Sequence, residues 1–496
     1  MNYLEALKVV HEHIRPDKYV EIGVSKGTSF QLAGCRSIGI DPAPQMVSND
    51  VNKTIYSKTS DDFFSEYELM DILSGPFDLA FIDGLHWAEF ALRDFINLER
   101  SSHFGSVIVI DDVLPDDMVW ANRERTTQEW TGDVYKLITI LRRYRPDLHI
   151  QIFDVEMKGM AIVSNLNNTC QILENHYPGI EKEIHSGVYD VFLREELVDS
   201  FQPASTDHLS IFTKKLMLGL AKRKYLELLQ ACLINEVNAD LELRIFYLKE
   251  CLEGMREFRF EEFHDITHRL KGEYQEFLDN KNIGKFYKKR IKNSGFAPSM
   301  IGKKRMGNLV YCLDIIQRQS IPGDFIECGV WRGGASIMMA AYNKMYQMNR
   351  TVFVADSFDG LPVPTHPMDE KLDLSKNKYP ELAIHLGIVK ENFRKYGLLN
   401  ENTRFVKGWF KDTLPALDKD LKIALLRLDG DLYESTTITM EALYDKVVHN
   451  GIIIVDDFSI PACKMAILDY FKNRNLKTPE FQEIDWTGIF WIKNTL

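Results

Sequence analysis

Two strand-like runs in the C-terminal half of the chain, 426–428 and 451–455, end abruptly in carboxylates. Runs of this kind are typical of parallel strands that are buried on both faces. Ligands bind at the carboxyl ends of such strands in open α/β sheets, so the acids are expected to converge on one site. Carboxylates gathered there repel one another unless a cation or a proton lies among them. The four acids are Asp429, Asp431, Asp456 and Asp457.

The same pattern occurs near the N-terminus. A buried run ends at Asp83, and a second run, 107–110, ends at Asp111 and Asp112. His86 follows three residues after Asp83. Asp83 and Asp111 are 28 positions apart, and the corresponding acids of the second copy are 27 positions apart. The chain therefore carries two versions of one predicted site.

Each predicted site is preceded by a turn of the form Glu-x-Gly-x-x-x-Gly. The turn residues are Glu21, Gly23 and Gly27 in the first copy and Glu327, Gly329 and Gly333 in the second. The first turn lacks the Gly-x-Gly-x-x-Gly pattern that cradles a pyrophosphate, so it favours a nucleoside without phosphates, S-adenosylmethionine, over NAD. The recurrence of turn and paired acids in one order predicts a duplicated domain.

An acidic residue after the next strand of each copy suits hydrogen bonding to ribose hydroxyls. This residue is Asp41 in the first copy and Asp356, followed by Ser357, in the second. Asp41 comes 20 residues after Glu21, whereas Asp356 comes 29 residues after Glu327. We therefore expect a longer helix between the turn and the acid in the second copy.

A chain of 496 residues is too long for one ordinary core, so two or three domains are expected. The alternation of strands and helices predicts an α/β fold with two class-I methyltransferase (Rossmann-like) domains, residues 1–168 and 296–496. Between them lie residues 169–295, where the apolar side chains from His208 to Leu278 recur at three- and four-residue steps and glycine is rare. This pattern predicts a helical connector whose apolar face is core or a contact in a homo-oligomer.

Composition excludes several other classes of protein. The formal net charge of −12 argues against a nucleic-acid partner. No apolar run reaches the roughly 18–20 residues that span a bilayer, and no signal peptide is recognisable. The seven scattered cysteines indicate buried thiols in a reducing, cytoplasmic environment.

Four segments of the second half, 322–334, 356–362, 428–436 and 455–457, resemble the macrocin O-methyltransferase (TylF-like) family. The resemblance implies a magnesium ion on Asp429, Asp456 and Asp457, with Asp431 as the general base. Lys464 lies where the family often has a basic residue on the following helix, and it is expected to contact the substrate.

The first half is similar to metal-dependent class-I methyltransferases that have an Ile-Asp-Gly-x-His motif. By this resemblance Asp83, Asp111 and Asp112 match the metal ligands, and His86 takes the place of the base. The two copies would then differ in the group that accepts the proton, a carboxylate in one and an imidazole in the other.

These patterns predict a bifunctional O-methyltransferase that depends on S-adenosylmethionine and Mg²⁺, with Mn²⁺ as a second possible ion. Its acceptor would be a sugar hydroxyl of a small molecule or oligosaccharide, a glycan or a glycosylated natural product. Residues 363–380 are expected to form a lid over the second site. One alternative keeps only the C-terminal copy catalytic, with the N-terminal copy as a binding or dimerisation module. A nicotinamide oxidoreductase is the alternative from another enzyme class.

Overall fold

The structure, a computed structural model, describes residues 1–285 and 297–494. The chain divides into two compact units, Met1–Ala221 and Lys222–Leu496. The predicted domain boundary between residues 295 and 296 lies outside the described residues, so the three predicted domain ranges stay predictions. Within the described ranges, no helix combines the length and the apolar character needed to cross a membrane.

The N-terminal unit contains a seven-stranded sheet with the order β3-β2-β1-β4-β5-β7-β6. Strands β1 to β5 are parallel, and β7 runs antiparallel to both β5 and β6. The strands are β1 (Lys18–Ile22), β2 (Arg36–Ile40), β3 (Lys53–Tyr56), β4 (Phe77–Ile82), β5 (Ser102–Asp111), β6 (His149–Phe153) and β7 (Met160–Ser164).

Helices cover both faces of this sheet. They are α1 (Tyr3–Ile14), α2 (Ser60–Glu66), α3 (Leu69–Leu73), α4 (Ala88–Arg100), α5 (Tyr135–Tyr144), α6 (Ile172–His185) and α7 (Arg194–Phe201), and α8 (Leu209–Leu233) begins in this unit. Strand β4 shows why the sheet is central: Ala80 and Ile82 pack into one apolar cluster, and Leu79 and Phe81 pack into another. Alternate side chains of a strand point to opposite faces, so a strand buried on both faces must be apolar throughout.

The C-terminal unit contains a second seven-stranded sheet of the same topology, β10-β9-β8-β11-β12-β14-β13. Its strands are β8 (Asp324–Cys328), β9 (Val352–Asp356), β10 (Thr403–Lys407), β11 (Ile423–Leu428), β12 (Val447–Val455), β13 (Gln482–Glu483) and β14 (Ile489–Ile492). The strands up to β12 are parallel, and β14 is antiparallel to β12 and β13. Two sheets of this kind confirm the predicted fold class.

The helices of the C-terminal unit fall into two groups. Four precede the sheet: α9 (Ala239–Leu252), α10 (Phe260–His264), α11 (Ile266–Arg269) and α12 (Lys271–Asn282). The others lie before or between strands: α13 (Lys303–Arg318), α14 (Gly334–Met345), α15 (Leu386–Lys395), α16 (Phe410–Thr413), α17 (Tyr433–Leu443) and α18 (Pro461–Asn473).

The two units differ in the connection that follows the glycine turn. In the C-terminal unit the turn leads into α14, a helix of 12 residues. In the N-terminal unit the same position holds one short 3₁₀ turn, Phe30–Leu32, before β2 begins. The shorter spacing between Glu21 and Asp41 therefore reflects a crossover that has been reduced to a single turn.

Candidate active site

The acids predicted from the C-terminal strand ends converge in the structure. Strands β11 and β12 are parallel neighbours, and Leu428 pairs with Val455, so Asp429 and Asp456 follow side by side. One carboxylate oxygen from each of Asp429, Asp456 and Asp457 lies within 4.8 Å of the others. The three carboxylates form a donor set of oxygen atoms only, which is the set that hard divalent cations prefer.

Asp431 lies beside this group in a left-handed backbone conformation, with φ +57°. Its backbone N–H donates to Asp457 Oδ2 at 3.3 Å. Burial, together with the negative charges of Asp429 and Asp456, raises the pKa of the Asp431 carboxyl to about 7. A carboxylate with a pKa near neutrality suits the acceptance of a proton.

Two buried arginines, which the sequence analysis did not single out, neutralise part of this acidic cluster. Arg427 of β11 lies 2.5 Å from Glu327 Oε1 and 2.7 Å from Asp429 Oδ2, and its other terminal nitrogen pairs with Asp456. Arg305 of α13 also pairs with Asp456, and its Nε donates to Asp485 at 3.0 Å. A charged residue inside an otherwise apolar strand was a signal for Arg427, whereas nothing local marked Arg305.

These arginines divide the acids electrostatically. Burial alone would raise the pKa of Asp456, but the charges of Arg305 and Arg427 outweigh it and lower the pKa. The pKa of Asp457 is instead raised well above its usual range by burial and by the neighbouring carboxylates, Asp431 first. The protein's own cations therefore stabilise the charged form of Asp456, whereas Asp457 and Asp431 favour the protonated form unless a further cation lies beside them.

Glu327 lies beneath the glycine turn and is fully enclosed. Its carboxylate accepts hydrogen bonds from the Ser336 hydroxyl and from Arg427. Burial raises its pKa to about 7, against the opposing charge of Arg427. The structure thus uses both oxygens of Glu327 inside the protein, so its predicted part in cofactor binding stays a prediction.

The turn itself brings two strand ends into close contact. Gly329 has φ +89°, and a Cβ atom at this position would lie 1.8 Å from the carbonyl oxygen of Asp429. Gly333, the last turn residue before α14, has φ +88°. Only glycine tolerates both the backbone conformation and the contact at position 329.

Asp356 lies at the end of β9 next to the turn. Its carboxylate accepts the backbone N–H of Val330 at 2.8 Å and that of Phe358 at 2.7 Å. Burial raises the pKa of Asp356 despite these bonds. Ser357 donates its hydroxyl to the carbonyl of Gly360 at 2.6 Å. A carboxylate oxygen can accept more than one hydrogen bond, so Asp356 can still accept hydrogen bonds from the hydroxyl groups of a ligand.

A cavity of about 430 Å³ joins these elements. Five predicted site residues line it: Gly329, Asp356, Ser357, Asp429 and Asp431. Aromatic side chains that the sequence analysis did not single out, Trp331, Trp409 and Phe410, also face it. Part of the predicted lid, including Val363 and Thr365, contributes to the wall. Lys464, by contrast, is exposed and lies over the ring of Phe458, outside the set of lining residues.

In the N-terminal unit, three side chains come together at the corresponding strand ends. They are Asp83, His86 and Asp112, whose ligand atoms lie within 4.8 Å of one another. His86 Nε2 is 3.7 Å from Asp83 Oδ1, and His86 Nδ1 is 2.8 Å from Asp112 Oδ2. Asp111, predicted as a ligand, is buried next to this group but is not a member of it.

The N-terminal carboxylates have a lysine, Lys158, as their nearby cation. Its Nζ lies 3.4 Å from Asp112 Oδ1. Burial alone would lower the pKa of this ammonium group, but the carboxylates, Asp112 first, raise it. Burial and the neighbouring Asp112 charge raise the pKa of Asp111 to about 7. Lys158 is thus a single positive charge near Asp83, Asp111 and Asp112. It was not predicted from the sequence.

The N-terminal turn repeats the geometry of the C-terminal one. Gly23 has φ +93°, and a Cβ there would lie 1.8 Å from the carbonyl oxygen of Asp83. Gly27 has φ +75°, and the side chain of Met46 occupies the space where a Cβ would lie, with its Sδ 1.7 Å from that position. Asp41 accepts the backbone N–H of Ser25 at 2.7 Å, as Asp356 does from its own turn.

Glu21, the first residue of this turn motif, is enclosed like Glu327, but none of the described arginines pairs with it. It accepts hydrogen bonds from the hydroxyls of Tyr19 and Ser29, both at 2.6 Å. Phe81 stands opposite Glu21 in the sheet, at the register position where Arg427 stands opposite Glu327. Burial raises the pKa of Glu21 to about 7.

Comparison with known proteins assigns both units to methyltransferase families. Residues 222–493 match the family model described as macrocin-O-methyltransferase (TylF). Residues 20–113 match a family model described as a methyltransferase domain. The first match covers more than half of the chain and includes helices α9 to α12. Both resemblances expected from the sequence are confirmed.

Individual relatives agree with the family match. The chain is 44% identical over 199 residues to the 8-demethyl-8-(2,3-dimethoxy-alpha-L-rhamnosyl)-tetracenomycin-C 4'-O-methyltransferase of Streptomyces olivaceus, covering 39% of this chain and 75% of the relative. It is 37% identical over 267 residues to the demethyldecarbamoylnovobiocin O-methyltransferase of Streptomyces niveus, covering 52% and 95%.

Among solved structures, the O-methyltransferase NovP is 34% identical, and the match covers 55% of this chain and all of that one with a TM-score of 0.45. The sheet order, the carboxylates at the strand ends and the extent of the family match lead to one assignment. The chain belongs to the macrocin O-methyltransferase (TylF) family.

Proposed function

We propose that the C-terminal unit transfers a methyl group from S-adenosylmethionine to a sugar hydroxyl of a glycosylated natural product. The observation that carries this proposal is the shared cavity, which Gly329 of the turn, Asp356, Asp429 and Asp431 line together. The names of the relatives support the acceptor class, because they specify O-methylation and one names a rhamnosyl tetracenomycin.

The cofactor would lie against the glycine turn. Asp356 would accept hydrogen bonds from ribose hydroxyls, as an acid at the end of the second strand does in related sheets. Ser357, adjacent to it, lines the same cavity. When bound, S-adenosylmethionine supplies an electrophilic methyl group on a sulfonium centre. The chain's part is to hold the acceptor oxygen in line with that methyl group, which lowers the entropic part of the barrier.

A magnesium ion, or a manganese ion in its place, would be held by Asp429, Asp456 and Asp457. These residues fit a hard divalent cation because they offer oxygen donors only and because burial and the neighbouring carboxylates disfavour an ionised Asp457 unless a cation lies beside it. When bound, such an ion lowers the pKa of a hydroxyl group that it ligates. Arg427 and Arg305 would hold Asp456 in position.

Asp431 would accept the proton of the acceptor hydroxyl. It lines the cavity, and its left-handed backbone places it on the turn between β11 and α17. A general base contributes about 10²–10⁴-fold to rate when it lies within hydrogen-bond reach of the proton. Replacement by asparagine keeps the shape of the side chain and removes this capacity.

Transfer of a labelled methyl group to glycosylated acceptors tests the proposal. We expect Asp431→Asn and Asp429→Asn to lower kcat/KM by about 10²–10⁴-fold. Asp420→Asn, which changes an exposed carboxylate of the same unit, serves as the matched control and should behave like the parent protein. EDTA should abolish transfer, and Mg²⁺ should restore it. Transfer that persists after chelation would rule out the metal role, and label in a position other than a sugar oxygen would rule out the acceptor class.

A second candidate function is methyl transfer in the N-terminal unit as well, which would make the chain bifunctional. The observation in its favour is the repeated turn, in which Gly23 contacts Asp83 as Gly329 contacts Asp429. Calorimetric titration with S-adenosylmethionine distinguishes the candidates. Two cofactor molecules per chain support a bifunctional enzyme, whereas a single one that is lost with Asp356→Ala leaves only the C-terminal unit catalytic.

A further inference from the structure

The site in the N-terminal unit has a different donor chemistry from the site in the C-terminal unit. Three carboxylates form the C-terminal group, whereas two carboxylates and an imidazole form the N-terminal group. The C-terminal acids are also served by buried Arg427, which Phe81 replaces in the N-terminal sheet. The two sites therefore favour different metal ions, because an imidazole prefers softer cations than a carboxylate does.

Buried carboxylate oxygens in the N-terminal group lack hydrogen-bond donors. Asp112 is 2% exposed, and within the part of the chain that the structure describes neither of its side-chain oxygens accepts a hydrogen bond of good geometry, although His86 Nδ1 lies 2.8 Å from its Oδ2. One oxygen of Asp111 is in the same condition. A buried carboxylate without a donor is strongly disfavoured. Lys158, 3.4 Å from Asp112, is one positive charge beside three acids, so a bound cation would relieve the repulsion that protonation otherwise has to relieve.

His86 is held in the orientation of a ligand. Its ring stacks on Trp130 with the ring centroids 5.0 Å apart and the planes within 3° of parallel. Its Nδ1 lies 3.1 Å from the backbone carbonyl of Trp130, to which an Nδ1–H would donate. The lone pair then resides on Nε2, the nitrogen that lies 3.7 Å from Asp83 Oδ1. A histidine that donates one ring N–H to a carbonyl and presents the other nitrogen is the usual arrangement at metal sites.

The backbone around this histidine is also fixed. A Cβ at Gly132 would lie 1.7 Å from the carbonyl oxygen of His86, so the two segments touch directly. Asp112 has a left-handed backbone, with φ +62°. Asp111 pairs across the sheet with β7, and the turn after it brings Asp112 towards the imidazole. This turn explains why Asp112, and not Asp111, joins His86 and Asp83.

We propose that the N-terminal unit binds a divalent transition-metal ion of the Mn²⁺, Fe²⁺, Co²⁺ or Zn²⁺ class through Asp83, His86 Nε2 and Asp112. One chain would then hold two chemically different metal sites, an all-oxygen site in the C-terminal unit and a nitrogen-containing site in the N-terminal unit. The proposal goes beyond the methyl transfer proposed above, and it makes His86 a metal ligand in place of the proton acceptor predicted from the sequence.

Pulsed electron paramagnetic resonance on the full chain tests this assignment without measuring activity. The protein is stripped with a chelator, loaded with Mn²⁺ and examined for modulation from a directly bonded nitrogen. We expect nitrogen modulation in the parent protein and in Asp429→Asn, since that substitution affects only the C-terminal site. We expect its loss in His86→Gln and its retention in His208→Gln, which changes an exposed histidine of the same unit.

Labelling provides a readout that does not depend on the folding of any variant. Growth with ¹⁵N-histidine should convert the ¹⁴N modulation of the parent protein into the ¹⁵N pattern. Metal analysis should give about two ions per chain for the parent and about one for His86→Gln, because a lost ligand lowers site occupancy. Bound Mn²⁺ without nitrogen coupling in the parent, or coupling that survives in His86→Gln, would overturn the proposal. Failure of Asp429→Asn to retain any ion would overturn it too.

Discussion

At the scale of single residues, the two turn positions require glycine because of a close backbone contact, and not because the chain has to be flexible there. Gly329 and Gly23 each have a positive φ, and each faces the carbonyl oxygen of the first acid of its own site at a distance that excludes a Cβ. The carbonyls belong to Asp429 and Asp83. The glycines therefore determine how closely the turn approaches the acidic strand end, and they couple the two parts of each site.

Gly329→Ala should destabilise the C-terminal unit by about 2 kcal/mol or more, because the methyl group meets a backbone oxygen and the conformation is strained. Urea unfolding measures the change. Gly272→Ala is the matched control, since a Cβ there meets nothing within 4 Å and the residue lies in helix α12. It should be neutral or stabilise by up to about 1 kcal/mol. Equal effects of the two substitutions would contradict the contact.

His11 provides a prediction about pH. It is buried against Tyr19, with the ring centroids 4.6 Å apart. Burial, followed by the charge of Lys53, lowers its pKa to about 4. The folded pKa thus lies below the value of about 6.5 in an unfolded chain. Folding stability from this residue is complete above about pH 6.5 and is lost as the pH falls towards 4, by about 1.4 kcal/mol per pH unit within that window.

Unfolding of the parent and of His11→Phe between pH 4.5 and 7.5 measures this contribution. The phenyl ring cannot be protonated, so the parent should lose stability relative to the variant as the pH falls. His208→Gln, at an exposed position, should keep the pH dependence of the parent. Parallel stability curves for the parent and His11→Phe would show that His11 does not titrate in this window.

At the scale of elements, the segment predicted as a lid is attached to the helix that follows the acidic turn. Asp369 is completely buried and accepts the backbone N–H groups of Tyr433 at 2.7 Å and Glu434 at 3.1 Å. The ring of His366 stacks on Tyr433 with centroids 4.3 Å apart. The segment thus supplies the N-terminal cap of α17 and lines the cavity at the same time.

Asp369→Ala should weaken this attachment. Loss of the cap costs about 1–2 kcal/mol, and a looser segment should raise the KM for the acceptor more than it lowers kcat. Steady-state kinetics with a varied acceptor provide the measurement. Glu370→Ala, which removes the exposed carboxylate next in the chain, should leave both constants unchanged. A fall in kcat alone would mean that the segment acts on the chemical step and not on acceptor binding.

At the scale of the whole molecule, the two units share one sheet order but differ in the connection after the glycine turn and in the residues of the site. The C-terminal unit has helix α14 after its turn, the cavity and the arginine-neutralised acids. The N-terminal unit has the short turn Phe30–Leu32 and a site that contains His86. Divergence of this kind after a duplication allows two units of one fold to take on separate tasks.

Product analysis shows how the tasks are divided. Asp429→Asn should abolish the principal methylated product, because it removes one carboxylate of the metal site proposed for the C-terminal unit. Asp83→Asn should leave that product intact and, in a bifunctional chain, remove a second methylated product. Mass spectrometry of acceptors incubated with each variant makes the comparison. Loss of the principal product in Asp83→Asn would place its chemistry in the N-terminal unit instead.

Much of the site could be predicted because it lies directly after strands. The position of an acid at a strand end is a local property of sequence, and parallel pairing then brings neighbouring ends together. Asp429 and Asp456 are of this kind, as is Asp83. The membership of the N-terminal group was harder to predict, because the choice between Asp111 and His86 depends on which way the backbone turns after β5.

The sequence by itself determined the duplicated α/β organisation and the acids at the strand ends, since periodicity and spacing are properties of the chain alone. Tertiary structure decided which charges neutralise those acids. Arg305 reaches Asp456 across 151 positions, and Arg427 joins Glu327 to Asp456 within the sheet. Such pairs follow from packing in three dimensions, where a buried charge must find its partner wherever the fold brings one, and no local pattern records that distance.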